Sequence, residues 1–404
     1  MTGVIQVEIV FIFSLSLIAY AYLGYPALVF LLSRIRERPV RKADISPKVS
    51  VIIAAHNEER DIAMKIENTF GLDYPREKLE IIVASDCSTD ATDEIARAYA
   101  DRGLILHRQH QRLGKTMAQN AAVEVSSGEV LVFTDATTGY QSDALRKLVR
   151  SFADSEVGCV SSQLIYVDRT KTTVGLGCRS YWRFEQFVRD SESRLGSMIG
   201  VTGCLYAVRR SSYSPLGRDM CSDFVIASEI HMKGLRTIDE REAIAIEDTN
   251  NRSRDEFRMR VRIMEQTMSA LSRYREVLSI RHHGIFAFQL LSHKVLRYSV
   301  AALLLVALIS NLLIANQSPV YQATMALQTA FYVSALAGWL LTRFGARVGP
   351  LAIPYYFVLA NMAVIVAFIK YVRGENHILW EPLRGARRSN KQMAAVRAEG
   401  GSAR

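Results

Sequence analysis

The apolar residues of this chain are concentrated in long segments near its two ends. The first segment covers residues 9–32 and contains no charged side chain, and three others follow at 296–316, 319–342 and 350–372. Each supplies the roughly 20 residues that a helix needs to cross a bilayer. The pattern predicts membrane helices on both sides of a polar insert at residues 43–277.

The polar insert alternates runs of β-branched residues with segments of helical periodicity. Strands are expected at 48–56, 79–86, 104–109 and 129–135, and helices at 59–70, 91–102 and 114–126. This alternation predicts an α/β domain with a mainly parallel sheet and right-handed crossovers. In such sheets the ligand binds beyond the carboxyl ends of the strands.

Basic residues follow the first apolar segment, in the stretch RIRERPVRK at residues 34–42. By the positive-inside rule this side is cytoplasmic, which predicts a multi-pass protein of the cell's inner (plasma) membrane with a cytoplasmic insert. The expected parts are an N-terminal transmembrane helix with a basic linker (1–42), a cytoplasmic domain (43–277), an interfacial amphipathic helix (278–295), C-terminal transmembrane segments (296–373) and a basic tail (374–404).

The charge rule raises a difficulty at the C-terminal end. Three crossings after the insert would place the basic tail outside the cell. The segment 350–372 contains Pro350 and Pro354. We therefore expect that segment to be re-entrant or to lie in the membrane interface, unless the tail departs from the rule.

Composition excludes some chemistry. The five cysteines all lie in the insert and none is spaced as CxxC, which argues against a zinc site. A reducing cytoplasm argues against disulfides. No GxGxxG follows the first strand and no GxxxxGK[ST] occurs, so the chain lacks the usual dinucleotide and P-loop motifs.

Polar clusters follow three of the expected strands. They are His56-Asn57-Glu58, residues 85–90 and Thr134-Asp135. Each cluster alone is ordinary turn or helix-cap chemistry. Because all three converge on one edge of the sheet, together they predict a binding site. An aspartate there, such as Asp135, is either a ligand for a hard cation or a turn residue.

Six successive blocks of the chain resemble motifs of the membrane-integrated family 2 glycosyltransferases, which include the cellulose, chitin and hyaluronan synthases. The blocks include VSVIIAAHNEERDI, IIVASDCSTDATDEIA, RLGKTMAQNAA, GEVLVFTDATT and TGCLYAVRRSSY, and the resemblance covers residues 48–275. It implies a GT-A fold and an inverting transfer from a nucleotide-sugar, a UDP-sugar, to a growing polysaccharide or a lipid-linked saccharide. Membrane lipid is an expected partner, and nucleic acid is not.

The resemblance also implies roles for residues on the donor side. The nucleotide-sugar would be held by Ala54, His56, Asn57, Glu58, Asp86, Lys115 and Asp135. Asp135 would bind Mg²⁺ or Mn²⁺ in place of the family's DxD motif, which here reads Asp135-Ala136-Thr137. Read from the residues alone, Lys115 is equally a solvated surface lysine.

Two residues are implied in catalysis. Asp223 matches the family's base, with Ser222 in place of its acidic partner, although the position alone also suits a helix N-cap. Arg262 matches the arginine of the synthases' Gln-x-x-Arg-Trp motif, whose Gln and Trp are absent here. Arg258 and Arg260 fit a lipid-facing basic surface almost as well.

The same substitutions leave a second function open. Thr137, Ser222 and Ile263 stand where many relatives have functional side chains, which suits a catalytically silent relative acting as a membrane scaffold or partner subunit. Asp86, Asp135, Asp223 and Arg262 are all present, and they favour an enzyme.

Overall fold

The computed structural model describes residues 2–168, 171–250, 252–346 and 348–375. The strands are β1 (Val49–Ala55), β2 (Leu79–Ser85), β3 (Leu104–Arg108), β4 (Val130–Asp135), β5 (Gly139–Tyr140), β6 (Val157–Val167), β7 (Leu205–Arg209) and β8 (Arg236–Asp248). The helices are α1 (Thr2–Ala19), α2 (Tyr25–Ile35), α3 (Ile62–Phe70), α4 (Thr92–Arg97), α5 (Lys115–Val125), α6 (Ala144–Val149), α7 (Thr173–Leu195), α8 (Ser222–Met232), α9 (Ser253–Arg273), α10 (Ile280–Gln289), α11 (Leu296–Ile314), α12 (Pro319–Arg343) and α13 (Ala352–Val372).

The strands form one sheet in the order β3-β2-β1-β4-β7-β6-β8-β5. The first four strands along the chain are parallel neighbours, and β7 is antiparallel to both β4 and β6. The predicted α/β class with a mainly parallel sheet is confirmed. In the register of the sheet, Ala54 pairs with Asp135 on one side and Ala84 on the other. The ends of β1, β2 and β4 therefore lie at the same edge.

Both faces of the sheet are covered, which explains why its central strands are apolar throughout. Every residue of β1 is buried. Odd positions such as Val51 belong to a core with α3 and α6, whereas Ile52 belongs to a core with α5 and α8. Because a parallel strand buries both faces, it reads as a continuous hydrophobic run rather than an alternating one.

In the part of the chain that the structure describes, four helices are long and apolar enough to cross a membrane, and they contain the four apolar segments found in the sequence. They run over Gly3–Ile35, Ile280–Gln317, Pro319–Arg343 and Gly349–Val372. The last of these, which was expected to be re-entrant or interfacial, is a regular helix from Ala352 onward, and its position in the membrane stays a prediction. Pro354 lies in the first turn, where a missing backbone N–H breaks no helical hydrogen bond.

The segment 278–295, predicted as an interfacial amphipathic helix leading into the first C-terminal span, is helical from Ile280 onward. This helix is kinked at Gly284, whose φ of 52° lies in the left-handed region that favours glycine. Beyond it the helix passes through a π-helical stretch, Leu290–Val295, directly into α11. The basic tail that was expected at 374–404 lies outside the described residues from position 376 onward.

Two long helices of the insert pack against the membrane helices. The helix α7 contacts α2 and α13, and α9 contacts α13. In the second contact, Arg260 Nε lies 2.9 Å from Glu256 Oε1 and 3.1 Å from the hydroxyl of Tyr356. Arg260 is therefore held between helices rather than presented to lipid, whereas Arg258 is exposed.

The closest approach of α7 to α13 is at Gly177, and it gives a stability prediction. A Cβ at this position would lie 2.5 Å from the Cβ of Tyr356. Alanine normally stabilises a helix relative to glycine, but overpacking here should reverse the sign and cost about 1–3 kcal/mol. We expect Gly177→Ala to lower the melting temperature in detergent, and Gly3→Ala, which meets nothing within 4 Å, to leave it unchanged or higher.

Candidate active site

A cavity of about 360 Å³ lies between the sheet edge and the membrane helices. Its volume is within the range of small-molecule sites. It is lined at one end by Lys115 and Asp135, in the middle by Asp223 and Arg262, and at the other end by side chains of the membrane helices. One continuous space thus connects the carboxyl edge of the sheet with the membrane-spanning part of the chain.

Asp135 ends β4, and its carboxylate faces this cavity. It forms an ion pair with Lys115, the first residue of α5, whose Nζ also donates to the carbonyl of Gly203 at 3.3 Å. Burial lowers the pKa of Lys115, but the charge and hydrogen bond of Asp135, together with the charge of Asp223, raise it by more, so the net shift of that pKa is upward. Lys115 is therefore a partly buried cation held at the cavity wall by Asp135, not a solvated surface lysine.

Asp86 positions the loop that leads to Lys115. The carboxylate is fully buried at the end of β2, and it accepts hydrogen bonds from the backbone N–H groups of Leu113 at 2.7 Å and Gly114 at 2.9 Å. Gly114 has a φ of 96°, which a residue with a side chain rarely adopts. Both oxygens of Asp86 thus fix the start of α5.

The cluster after β1 is joined to the cluster after β2. His56 Nδ1 lies 2.7 Å from the carbonyl of Asp86, and Asn57 Oδ1 accepts from the N–H of Thr89 at 2.8 Å. The buried carboxyl of Glu58 has its pKa raised to about 8, chiefly by burial and then by the charges of Asp61 and Asp135. These groups lie beside the cavity rather than on its wall.

Glu247 is a cavity residue that the sequence interpretation missed. It lies near the end of β8, lines the cavity together with Asp135, and accepts a hydrogen bond from Thr137 Oγ1 at 3.2 Å. The strand β8 pairs with β6 along its length, with Tyr166 opposite Glu247, and with β5 near its end, with Gly139 opposite Ile246. The position where a DxD motif has its second carboxylate thus carries a threonine that binds a carboxylate from another strand.

Asp223 is the second residue of α8 and lines the middle of the cavity. The helix begins at Ser222 with Cys221 at the N-cap, so the interpretation of Asp223 as the cap is wrong. The Cys221 thiol donates to Asp223 Oδ1 at 2.6 Å. A Cβ on Gly203 would lie 2.9 Å from Asp223 Oδ2, so the glycine keeps space for the carboxylate.

Arg262 projects from α9 into the same cavity. Burial lowers its pKa, and the charges of Asp135 and Asp223 act in the opposite direction. Among the described residues it has neither a hydrogen bond nor an ion pair through its side chain. Glu229, the next acid on α8, does not line the cavity and instead accepts from the hydroxyl of Tyr274 at 2.5 Å.

The structure therefore brings together four of the nine predicted site residues on the cavity wall. They are Lys115, Asp135, Asp223 and Arg262. The other five lie in or just after β1 and β2 without lining the cavity: Ala54, His56, Asn57, Glu58 and Asp86. Ala54 is an interior strand residue with 1% exposure, so any contact with a ligand there would be through the backbone.

The sequence interpretation also missed the buried ion pairs at the far end of the cavity. Glu185 of α7 is 2% exposed and binds Arg297 of α11 at 2.8 Å and Arg189 at 3.3 Å. Burial raises the pKa of Glu185, but the charges of His293 and Arg297 outweigh it and hold that pKa well below its usual range. The charged residues of 279–298 suggested a surface helix, because nothing in the sequence shows that His293 and Arg297 contact Glu185.

A family model described as Glycosyl transferase family 2 matches residues 50–217. A Beta-monoglucosyldiacylglycerol synthase of Nostoc sp. is 28% identical over 200 residues, covering 48% of this chain and 42% of that protein. An N-acetylglucosaminyltransferase of Azorhizobium caulinodans is 29% identical over 177 residues, covering 43% of this chain and 44% of that protein. The chain thus spans less than half the length of these curated relatives.

Among solved structures, the fold is similar to that of a mannosyltransferase from Pyrobaculum calidifontis determined with GDP-Man and Mn²⁺. The TM-score is 0.69 at 23% identity, covering 91% of this chain and all of that one. At this identity the likeness concerns the fold. The chain therefore carries a glycosyl transferase family 2 domain with a GT-A-like fold, joined to four helices that are long and apolar enough to cross a membrane.

Proposed function

We propose that this protein is a membrane-bound inverting glycosyltransferase that moves a sugar from a nucleotide-sugar to a saccharide or lipid-linked acceptor. One observation carries the proposal: Lys115, Asp135, Asp223 and Arg262 face one cavity between the family 2 domain and the membrane helices. Lys115 and Arg262 can stabilise the negative charge of a diphosphate, and the carboxylate of Asp223 can act as a general base. The names of the relatives, a glucolipid synthase and an N-acetylglucosaminyltransferase, agree with sugar transfer to a lipid or saccharide.

The residues present fit a divalent cation. Asp135 and Glu247 offer carboxylate oxygens to the same part of the cavity, and hard cations such as Mg²⁺ and Mn²⁺ prefer such ligands. The mannosyltransferase of similar fold was solved with Mn²⁺. When bound, such a cation would neutralise charge on the donor diphosphate. Thr137 would then orient Glu247 through its hydrogen bond rather than act as a ligand itself.

The nucleoside would lie beside the strand ends of β1 and β2, where Asp86 and the cluster after Ala55 form a fixed polar rim. Lys115 would contact the diphosphate, because it begins a helix whose free N–H groups favour anions. The identity of the nucleotide is open: the resemblance favours a UDP-sugar, and the mannosyltransferase of similar fold was solved with GDP-Man. The test below therefore includes both UDP-sugars and GDP-sugars.

Inversion requires the acceptor hydroxyl to attack from the face opposite the leaving diphosphate. Asp223 would accept the hydroxyl proton as the new bond to the sugar carbon forms and the bond to the diphosphate oxygen breaks. The electron pair of that bond leaves with the nucleoside diphosphate. Arg262, whose side chain has no partner among the described residues, would stabilise that developing charge.

The site favours single transfer over polymerisation. In the processive synthases the Trp of the arginine motif helps frame the acceptor sugar, and here Ile263 follows Arg262 on the cavity wall. An aliphatic side chain offers no aromatic face for a sugar to stack on. Product length, read on a gel, distinguishes a polymer from a single added sugar.

The enzyme class is tested by nucleotide release. Full-length protein in detergent is given a panel of UDP-sugars and GDP-sugars with Mg²⁺ or Mn²⁺, and free UDP or GDP is measured. We expect one nucleotide-sugar to be turned over. Folded protein that neither binds nor cleaves any of them would favour the silent scaffold relative.

The cytoplasmic placement gives a topology prediction. We expect a single cysteine introduced by Ala43→Cys, which follows the basic linker, to react with a membrane-impermeant thiol reagent only after cells are permeabilised. Cys87, Cys159, Cys178, Cys204 and Cys221 would be replaced first. Labelling of intact cells would contradict a cytoplasmic catalytic domain.

A further inference from the structure

Two π-helical segments face each other where the cavity enters the membrane helices. Tyr20–Gly24 interrupts the first membrane helix and Leu290–Val295 interrupts the second. The hydroxyl of Tyr20 lies 3.1 Å from Ser292 Oγ, which joins the two segments. Single π-helical turns inside α-helices occur frequently at functional sites. Each segment contributes to the cavity wall, the first through Tyr22 and the second through Lys294.

The two segments form part of one end of the cavity, which we call the membrane-side chamber. The residues that line this chamber are Tyr22, Glu185, Arg189, Lys294, Arg297 and Asn361. Three of the four membrane helices contribute to it, and α7 closes it on the side of the catalytic domain. Ionisable side chains among membrane-spanning helices are energetically costly and usually mark a functional site.

The chamber has an excess of positive charge. Glu185 already binds Arg189 and Arg297. The neighbouring carboxylate, Glu192, lies behind the wall and accepts from the Tyr25 hydroxyl at 2.5 Å, with His293 Nδ1 2.8 Å away. Among the six wall residues, three cations thus lie with one carboxylate, Glu185. The charges of Asp223 and Asp239 also act on Arg189 from outside the chamber.

Lys294 is the cation left over. Its ammonium group forms no hydrogen bond or ion pair with any described residue, although the side chain is partly buried and lines the chamber. The charge of Glu185 acts on Lys294, but no side chain contacts the ammonium group directly among the described residues. An anion in the chamber would give Lys294 a direct partner.

We propose that the membrane-side chamber binds the head group of the acceptor, and that the acceptor is a membrane lipid with a phosphate and a free hydroxyl. This inference rests on the proposed function and names its acceptor. The phosphate would lie against Lys294 and Arg297, and the hydroxyl would point along the cavity toward Asp223. The chamber walls come from membrane helices, and the cavity of about 360 Å³ suits a head group while the chains stay in the bilayer.

The reaction balances with these groups alone. The acceptor O–H bond breaks and its proton passes to Asp223, while the oxygen forms a bond to the anomeric carbon of the donor sugar. The bond from that carbon to the diphosphate oxygen breaks, and the nucleoside diphosphate leaves with the electron pair. The lipid phosphate is bound throughout and is not consumed.

The test uses full-length protein in maltoside micelles, which contain no phosphate. Phosphatidylglycerol, diacylglycerol and soluble glycerol phosphate are titrated separately, and binding and sugar transfer are measured for each. We expect phosphatidylglycerol to bind and accept sugar best. Lys294→Gln should weaken its binding about 10- to 100-fold, the usual worth of a hydrogen bond to a charged group. Lys294→Arg should largely restore it.

Arg343→Gln is the matched control, because Arg343 is a cation at the end of another membrane helix, α12, away from the cavity. It should leave lipid binding unchanged. Equal use of diacylglycerol, equal binding of soluble glycerol phosphate, or unchanged lipid binding in Lys294→Gln would overturn the inference. If Lys294→Gln does not fold, the lipid comparison on the native chain still decides. Failure of the native chain to bind any nucleotide-sugar would instead defeat the proposed function.

Discussion

Replacing Asp223 with asparagine is expected to lower the rate of glycosyl transfer by a factor of about 10² to 10⁴, the usual worth of general base catalysis. The side chain lines the cavity on the second residue of α8. An asparagine keeps the size of the side chain and an oxygen that can accept from the Cys221 thiol, so the fold should survive. What is lost is the ability to take a proton from the acceptor hydroxyl.

Three measurements on this variant separate chemistry from structure: nucleotide-sugar affinity, melting temperature and transfer rate. Donor affinity should be retained, because Lys115 and the Asp135 region hold the donor. Glu229→Gln is the matched control, since Glu229 lies on the same helix but binds Tyr274 outside the cavity. A near-normal transfer rate in Asp223→Asn would remove Asp223 from the role of base.

The second large effect is expected for Asp135→Asn, which should abolish divalent-dependent turnover, a loss of more than about 10²-fold. The change removes the carboxylate at the end of β4 and also the ion-pair partner of Lys115. Both losses act on the donor diphosphate. Binding of Mn²⁺, followed by electron paramagnetic resonance in the presence of the nucleotide, gives a readout that does not depend on turnover.

Thr137→Ala provides the comparison for Asp135→Asn. It removes one neutral hydrogen bond to Glu247 Oε1, which is worth about 0.5–1.5 kcal/mol. We expect a much smaller loss of turnover than in Asp135→Asn. Full activity of Asp135→Asn at saturating Mg²⁺ or Mn²⁺ would show that Asp135 is not a ligand.

The parallel strands and the long apolar helices could be predicted from short stretches of the sequence. The runs before Ala55, Ser85 and Asp135 predicted parallel strands, because β-branched residues buried on both faces read as continuous apolar runs. Their polar ends converge because parallel strands end at one edge. The apolar segments likewise predicted the four membrane helices from length alone.

Long-range pairing is what the sequence does not show. Glu247 lines the same cavity as Asp135 because β8 pairs with β6 and, near its end, with the two-residue strand β5. A strand as short as β5 leaves almost no periodic signal in the sequence. Arg297 resembled part of an interfacial surface because its partner, Glu185, is 112 residues away along the chain. Asp223 was interpreted as an N-cap because the first residue of a helix is uncertain by one or two positions. The helix begins one residue before Asp223, at Ser222.

Sugar transfer at this cavity is tested most directly by following a radiolabelled sugar. Full-length protein in micelles that contain phosphatidylglycerol is given labelled UDP-sugars and GDP-sugars with Mn²⁺, and label in the extracted lipid is compared with free nucleotide. We predict equal amounts of labelled lipid and released nucleoside diphosphate for one donor, and at least about 10²-fold less of both with Asp223→Asn. Folded, donor-binding protein that transfers no label, or transfers it as well with Asp223→Asn, would contradict sugar transfer with Asp223 as the base.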